Sequence, residues 1–167
     1  MKHLLDFSNN AWINVLKVLI IVLGLPLVGL GAMFMLEVIN FAQSLWEPLM
    51  PYQTILWILL GSTIILFILI LWKGLVILSQ IQKGDIYTLN SVRHIHLASL
   101  YSGLISLIYV FFLPIFYIAA QWDDAPGFIL LGLFFVLLGL AFALFLFVIK
   151  RLLIQAIQIK EENDLVV

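Results

Sequence analysis

Four stretches of this chain contain no Asp, Glu, Lys or Arg: Val18–Leu36, Pro48–Trp72, Leu97–Trp122 and Ala125–Ile149. Each holds an apolar run near the length of about 20 residues that a helix needs to cross roughly 30 Å of hydrocarbon. Backbone groups in lipid must be satisfied within a helix or around a closed barrel. Runs such as Ile64-Ile65-Leu66-Phe67-Ile68-Leu69-Ile70 do not alternate, which removes the barrel. The expected fold is therefore all-α and integral to a membrane, one domain of four transmembrane helices arranged as two hairpins. The spans are expected at about 15–36, 54–76, 97–120 and 127–149, with a loop at 79–96 and a tail at 150–167.

Composition agrees on the solvent. The chain is 65% hydrophobic and 10% charged over 167 residues, whereas soluble domains average about 45–50% and about 25%. A soluble fold of this size could not hide so much apolar surface. The net charge of −1 gives no electrostatic case for direct nucleic-acid binding. Without cysteine there is neither a disulfide framework nor a thiolate metal site.

Charge sorts the polar segments. Lys2 and Lys17 precede or begin span one; Lys73, Lys83 and Arg93 lie between spans two and three; Lys150, Arg151 and Lys160 follow span four. The other two connections carry Glu37, Glu47, Asp123 and Asp124 and no basic residue. The positive-inside rule predicts cytosolic termini and a cytosolic central loop. Trp46, Trp72 and Trp122 fall near the predicted interfaces. The first segment reads as an uncleaved anchor, because its apolar run is long and no small-x-small site follows Met35.

Helices in lipid associate where small residues let backbones approach. Candidates are Gly24, Gly29 and Gly31 in span one, Gly61 and Ser62 in span two, Ser99 and Gly103 in span three, and Gly132, Gly139 and Ala143 in span four. Ser99 with Gly103, and Gly139 with Ala143, are each four apart and so share a helix face. Pro26 and Pro114 each remove a backbone donor and predict kinks. Apolar spacing continues past Lys73 and Lys150, so spans two and four are predicted to extend beyond the membrane. Gly84-Asp85 should end the first extension, Thr88 or Asn90 should cap the next helix, and the second extension should fray near Asn163-Asp164. Lysines ten apart recur after spans two and four, which suggests a parallel duplication as readily as convergence.

No recognisable chemistry emerges. No Asp, Glu, Arg or His lies deep in a span, which disfavours an ion pump or proton-coupled carrier. Lys17 is near enough to the end of its span to snorkel. His94 and His96 are two apart and point to different helix faces, so they cannot chelate one metal together. Asp123-Asp124 suits a solvated loop, and Tyr101, Tyr109 and Tyr117 recur at eight-residue intervals as a drifting packing stripe. No phosphate loop, nucleophile elbow or HExxH motif occurs. The expectation is not an enzyme, with no cofactor and no metal.

Two polar pieces carry a resemblance. One is Gly84-Asp85-Ile86-Tyr87-Thr88-Leu89-Asn90-Ser91-Val92-Arg93-His94-Ile95, and the other is Glu161-Glu162-Asn163-Asp164-Leu165-Val166-Val167. They resemble the central and C-terminal segments of the bacterial four-span membrane family catalogued as domain of unknown function 2975. Tyr87 stands where phenylalanine is usual, one extra residue follows Gly84, and Val166 replaces a usual threonine. The resemblance extends over the whole chain but draws its specificity from about twenty residues. It implies no established activity. Members are often encoded beside small helix-turn-helix regulators, which implies a membrane partner for such a protein.

The functional expectation is a non-enzymatic membrane regulator or receptor that docks a cytosolic protein. Its docking candidates are Lys83, Asp85, Tyr87, Asn90 and Arg93 in the loop and Glu161, Glu162, Asn163 and Asp164 in the tail. The acidic tail would attract a basic DNA-binding protein. The alternative is an accessory subunit or small-molecule transporter with a pocket between kinked spans one and three. A transporter should show a polar-lined midplane cavity, a docking protein a filled bundle. Homo-oligomers, including a pore of several copies, stay open.

Overall fold

Helices make up every regular element that the computed structural model describes, over residues 2–45, 50–122, 124 and 126–165. They are α1 (Lys2–Leu45), α2 (Met50–Lys83), α3 (Leu89–Trp122) and α4 (Gly127–Leu165). All four are long and apolar enough to cross a membrane. They contain 44, 34, 34 and 39 residues, well beyond the roughly 20 that a bilayer requires. Their outward faces carry exposed Leu25, Leu130 and Phe134 among many other large apolar side chains. Such continuous apolar surface is compatible with lipid and not with water.

Each helix packs on its neighbour in sequence, α3 on α4 most extensively, whereas α1 and α4 form no extensive seam among the described residues. One buried cluster joins Ile39, Leu60, Phe112 and Phe116 toward the end that carries Glu37 and Asp124. A second joins Val92, Ile95, Leu153 and Ile157 at the opposite, basic end.

The α3–α4 seam brings together the two small-residue faces that the sequence offers. A Cβ on Gly103 would lie 4.0 Å from that of Ala143, and one on Gly139 would lie 3.1 Å from the Ser106 Cβ. At this separation serine hydroxyls cross the seam. Ser99 donates to the Ala143 carbonyl at 2.9 Å, Ser102 to that of Gly139 at 2.9 Å, and Ser106 to that of Val136 at 2.8 Å. Gly132 provides a further close approach, since a Cβ there would stand 2.8 Å from the Phe116 ring.

The α1–α2 seam is built differently. Gly24 meets Leu71, whose Cδ1 is 2.7 Å from the place a Cβ would take. Lys17 does more than snorkel: its Nζ donates to Gln82 Oε1 at 2.6 Å, and Gln82 Nε2 in turn donates to Asn14 Oδ1 at 3.4 Å. Gly29 and Gly31 do not serve helix contact, because an added Cβ at either meets nothing within 4 Å. Pro26 and Pro114 sit inside helices that continue past them. Nor does the chain lose helical form at Asn163-Asp164, for α4 runs on to Leu165. Trp46, Glu47, Asp123, Val166 and Val167 lie outside the described residues, as does the side chain of Asp164.

Candidate functional site

The basic end begins where α2 stops. Gly84 has a φ of 76°, the left-handed conformation that a glycine adopts without a Cβ penalty. Its N–H donates to the Ile81 carbonyl at 3.1 Å, and the Asp85 N–H donates to that of Gln80 at 3.0 Å. This is a Schellman ending, and it reverses the chain directly after Lys83. Thr88 then caps α3, its Oγ1 accepting from the Ser91 N–H at 3.4 Å. Asn90, the other expected cap, lies within α3 and is exposed.

Ser91 is fully buried at this corner. Its hydroxyl stands 2.8 Å from Gln80 Oε1, 3.3 Å from the Asp85 carbonyl and 3.1 Å from Thr88 Oγ1. Thr88 also donates to the Asp85 carbonyl at 3.1 Å. The loop is thus tied to the end of α2 by satisfied polar groups, which rigidifies it. Ile86 anchors it from below by packing on the Val92, Ile95, Leu153 and Ile157 cluster. With those groups turned inward, Lys83, Asp85, Tyr87, Asn90 and Arg93 are left exposed.

The same cluster holds the end of α4 against α3, so the second expected element arrives beside the first. The Lys160 ammonium lies 5.9 Å from the centre of the Tyr87 ring, a cation–π distance. Glu161, Glu162 and Asn163 follow directly and are exposed. The structure therefore brings Lys160, which directly precedes the tail candidates, beside Tyr87 of the loop. Lys160, Ser91 and Gln80 were not among the expected docking residues, and the last two hold the loop in shape. Thr88 and Ser91, three apart at a helix start, were the available signal.

No grouping of three His, Asp or Glu side chains placed to hold a metal is found among the described residues. The Nδ1 atoms of His94 and His96 are buried without a hydrogen-bond partner. The tyrosine stripe likewise fails to converge. Tyr109 stacks on Phe135 with ring centres 5.1 Å apart, while Tyr117 accepts from Gln121 Nε2 at 3.3 Å.

A cavity of about 430 Å³ lies at mid-membrane depth, with all four helices contributing. It is thus not confined to the space between spans one and three, and the bundle is not filled. Nor is its wall polar: Leu27, Leu60, Phe67, Leu138 and Phe142 are representative of it. The Thr63 and Ser102 hydroxyls at its edge are already committed to the carbonyls of Leu60 and Gly139.

Known proteins bear on these features in two ways. The sequence model of the family described as "Protein of unknown function (DUF2975)" matches residues 37–167, leaving the first part of α1 outside. The "Uncharacterized membrane protein YoaS" of Bacillus subtilis (strain 168) is 33% identical over 152 residues, 91% of this chain and 95% of that protein. No solved structure matches the chain.

Proposed function

The chain belongs to the DUF2975 family, and from that premise we propose that it is a non-enzymatic membrane regulator or receptor that docks a cytosolic protein. It acts in the bacterial cytoplasmic membrane, with its basic end in the cytosol. The observation that carries this reading is the seating of Lys160 over Tyr87. It brings two segments far apart in sequence, both polar and both exposed, side by side. Surfaces of rigid backbone and mixed charge give orientation and specificity to a protein partner. A small helix-turn-helix regulator is the partner class that the family resemblance implies. Glu161 and Glu162 would meet its basic face and compete with DNA for it.

Co-purification from native membranes tests this, with the intact chain compared against a chain lacking residues 161–167 and against Tyr87→Ala. The expected result is recovery of one cytosolic protein by the intact chain and a drop of about tenfold with either variant. Equal recovery by all three would remove the surface from the mechanism.

The midplane cavity offers the space that a transporter or accessory subunit requires. Its wall is apolar but for Thr63, Ser102 and Tyr109 and offers few polar groups to orient a soluble substrate, so the docking reading has the stronger support.

A further inference from the structure

The midplane cavity is closed toward α2 and α3, where Leu60, Thr63 and Ser102 are buried, and open toward α1 and α4. Its α1 and α4 walls are exposed: Leu27 by 55%, Leu138 by 54% and Phe142 by 44%. The Phe34 and Phe135 rings, 5.9 Å apart, draw α1 and α4 together on the side away from the basic end. The mouth therefore faces hydrocarbon, between two helices that form no extensive seam among the described residues.

Both walls of the mouth lead to a lysine. Lys17 stands eleven residues before Val28 on α1, and Lys150 stands eleven residues after Gly139 on α4; Val28 and Gly139 line the cavity. Eleven residues are three turns, so each lysine lies on the cavity-facing side of its helix, about 16 Å nearer the basic end. That offset is close to half of the roughly 30 Å hydrocarbon thickness, the depth of one leaflet. Lys17 uses one ammonium proton on Gln82 and keeps two more to donate. The Lys150 Nζ is held 5.7 Å from the Phe147 ring. Helices α2 and α3 contain no Asp or Glu to neutralise these cations.

We propose that the cavity holds one acyl chain of an anionic phospholipid, admitted between α1 and α4, with its phosphate held at the basic end by Lys17 and Lys150. The pairing of an apolar slot with cations one leaflet above it matches that molecule. A soluble ligand would leave either the slot or the cations unsatisfied.

The test adds phosphatidylglycerol or phosphatidylcholine to the purified full chain and counts retained lipid by native mass spectrometry. Gly31 lines the cavity and an added Cβ there meets nothing within 4 Å, so Gly31→Phe is the variant chosen to occupy the slot. Ile65→Phe, on the lipid-facing surface, is the control. The wild type and the control should each keep phosphatidylglycerol about tenfold better than phosphatidylcholine. Gly31→Phe should lose both lipids, and the Lys17→Gln, Lys150→Gln pair should lose the preference. Unchanged retention in Gly31→Phe, or a lipid-free dimer of the wild type, would overturn the proposal. Should Gly31→Phe fail to fold, wild-type protein with phosphatidylglycerol bearing a mid-chain diazirine decides the matter. Crosslinks concentrated at Leu27 and Phe142 support the site; crosslinks spread equally over Leu130 and Leu144 contradict it.

Discussion

Ser102 donates its hydroxyl hydrogen to the carbonyl oxygen of Gly139 at 2.9 Å, and the bond depends on the side chain that position 139 lacks. A Cβ there would fall 3.2 Å from the backbone of Ser106, so the glycine lets α3 come close enough for its serines to reach across. A carbonyl oxygen has two acceptor sites, so Gly139 can accept this bond and still accept one within its own helix. In hydrocarbon, where helices gain nothing by hiding apolar surface from one another, close packing and such bonds hold the seam.

Gly139→Val should therefore destabilise the protein by about 1–3 kcal/mol, the usual range for overpacking. Gly29→Val, at a position with no neighbour within 4 Å, should stay within about 0.5 kcal/mol. Unfolding in detergent followed by circular dichroism distinguishes them. Equal effects would remove the close approach as the reason for the glycine.

Each serine of the ladder should contribute modestly. Ser102→Ala should cost about 0.6 kcal/mol, the typical size of an interhelical hydrogen bond in a membrane. Replacing Ser99, Ser102 and Ser106 together with alanine should lower the unfolding midpoint further while leaving the chain helical.

The basic-end corner should be sensitive at two positions. Gly84→Ala imposes a left-handed conformation on a residue with a Cβ and should cost about 1 kcal/mol. Thr88→Ala removes the cap and should cost a similar amount, about 1 kcal/mol, whereas Thr88→Ser should retain most of it. The same unfolding measurement checks all three.

The contact between Lys160 and Tyr87 should hold the end of α4 in place. Tyr87→Leu should raise amide hydrogen exchange several-fold near residues 158–163 and leave the buried stretch around Leu153 unchanged, since a cation–π pair at an exposed site is worth only about 0.5–1 kcal/mol. Tyr87→Phe keeps the ring and should behave as wild type.

Much of the architecture could be read from residues alone because lipid leaves a chain few choices. Runs such as Val18–Leu36 admit only a spanning helix, and Gly84 marks the end of α2 as the sequence implied. The pairs Ser99 with Gly103 and Gly139 with Ala143 announced a seam, although nothing in their spacing said that they faced each other. Ser102 and Ser106 went unread as partners; with Ser99 they form a polar stripe on one face of an apolar helix, which was the available signal. Gly29 looked like Gly24, yet only Gly24 meets a neighbour, because local spacing does not say which face is covered. The cavity was illegible for the same reason: voids arise from how four helices lean together, not from any one of them. Tyr87 and Lys160 are 73 positions apart, and only tertiary packing through Ile86 and Ile157 brings them together.

The proposed docking function requires loop and tail on the cytosolic side and the Asp124 turn on the other. Since the chain contains no cysteine, single substitutions Asn90→Cys, Glu162→Cys and Asp124→Cys report directly through a membrane-impermeant maleimide applied to intact spheroplasts. Asp124→Cys should react at once, and Asn90→Cys and Glu162→Cys only after permeabilisation. Labelling of Asn90→Cys and Asp124→Cys from the same side would contradict the arrangement and the docking function built on it.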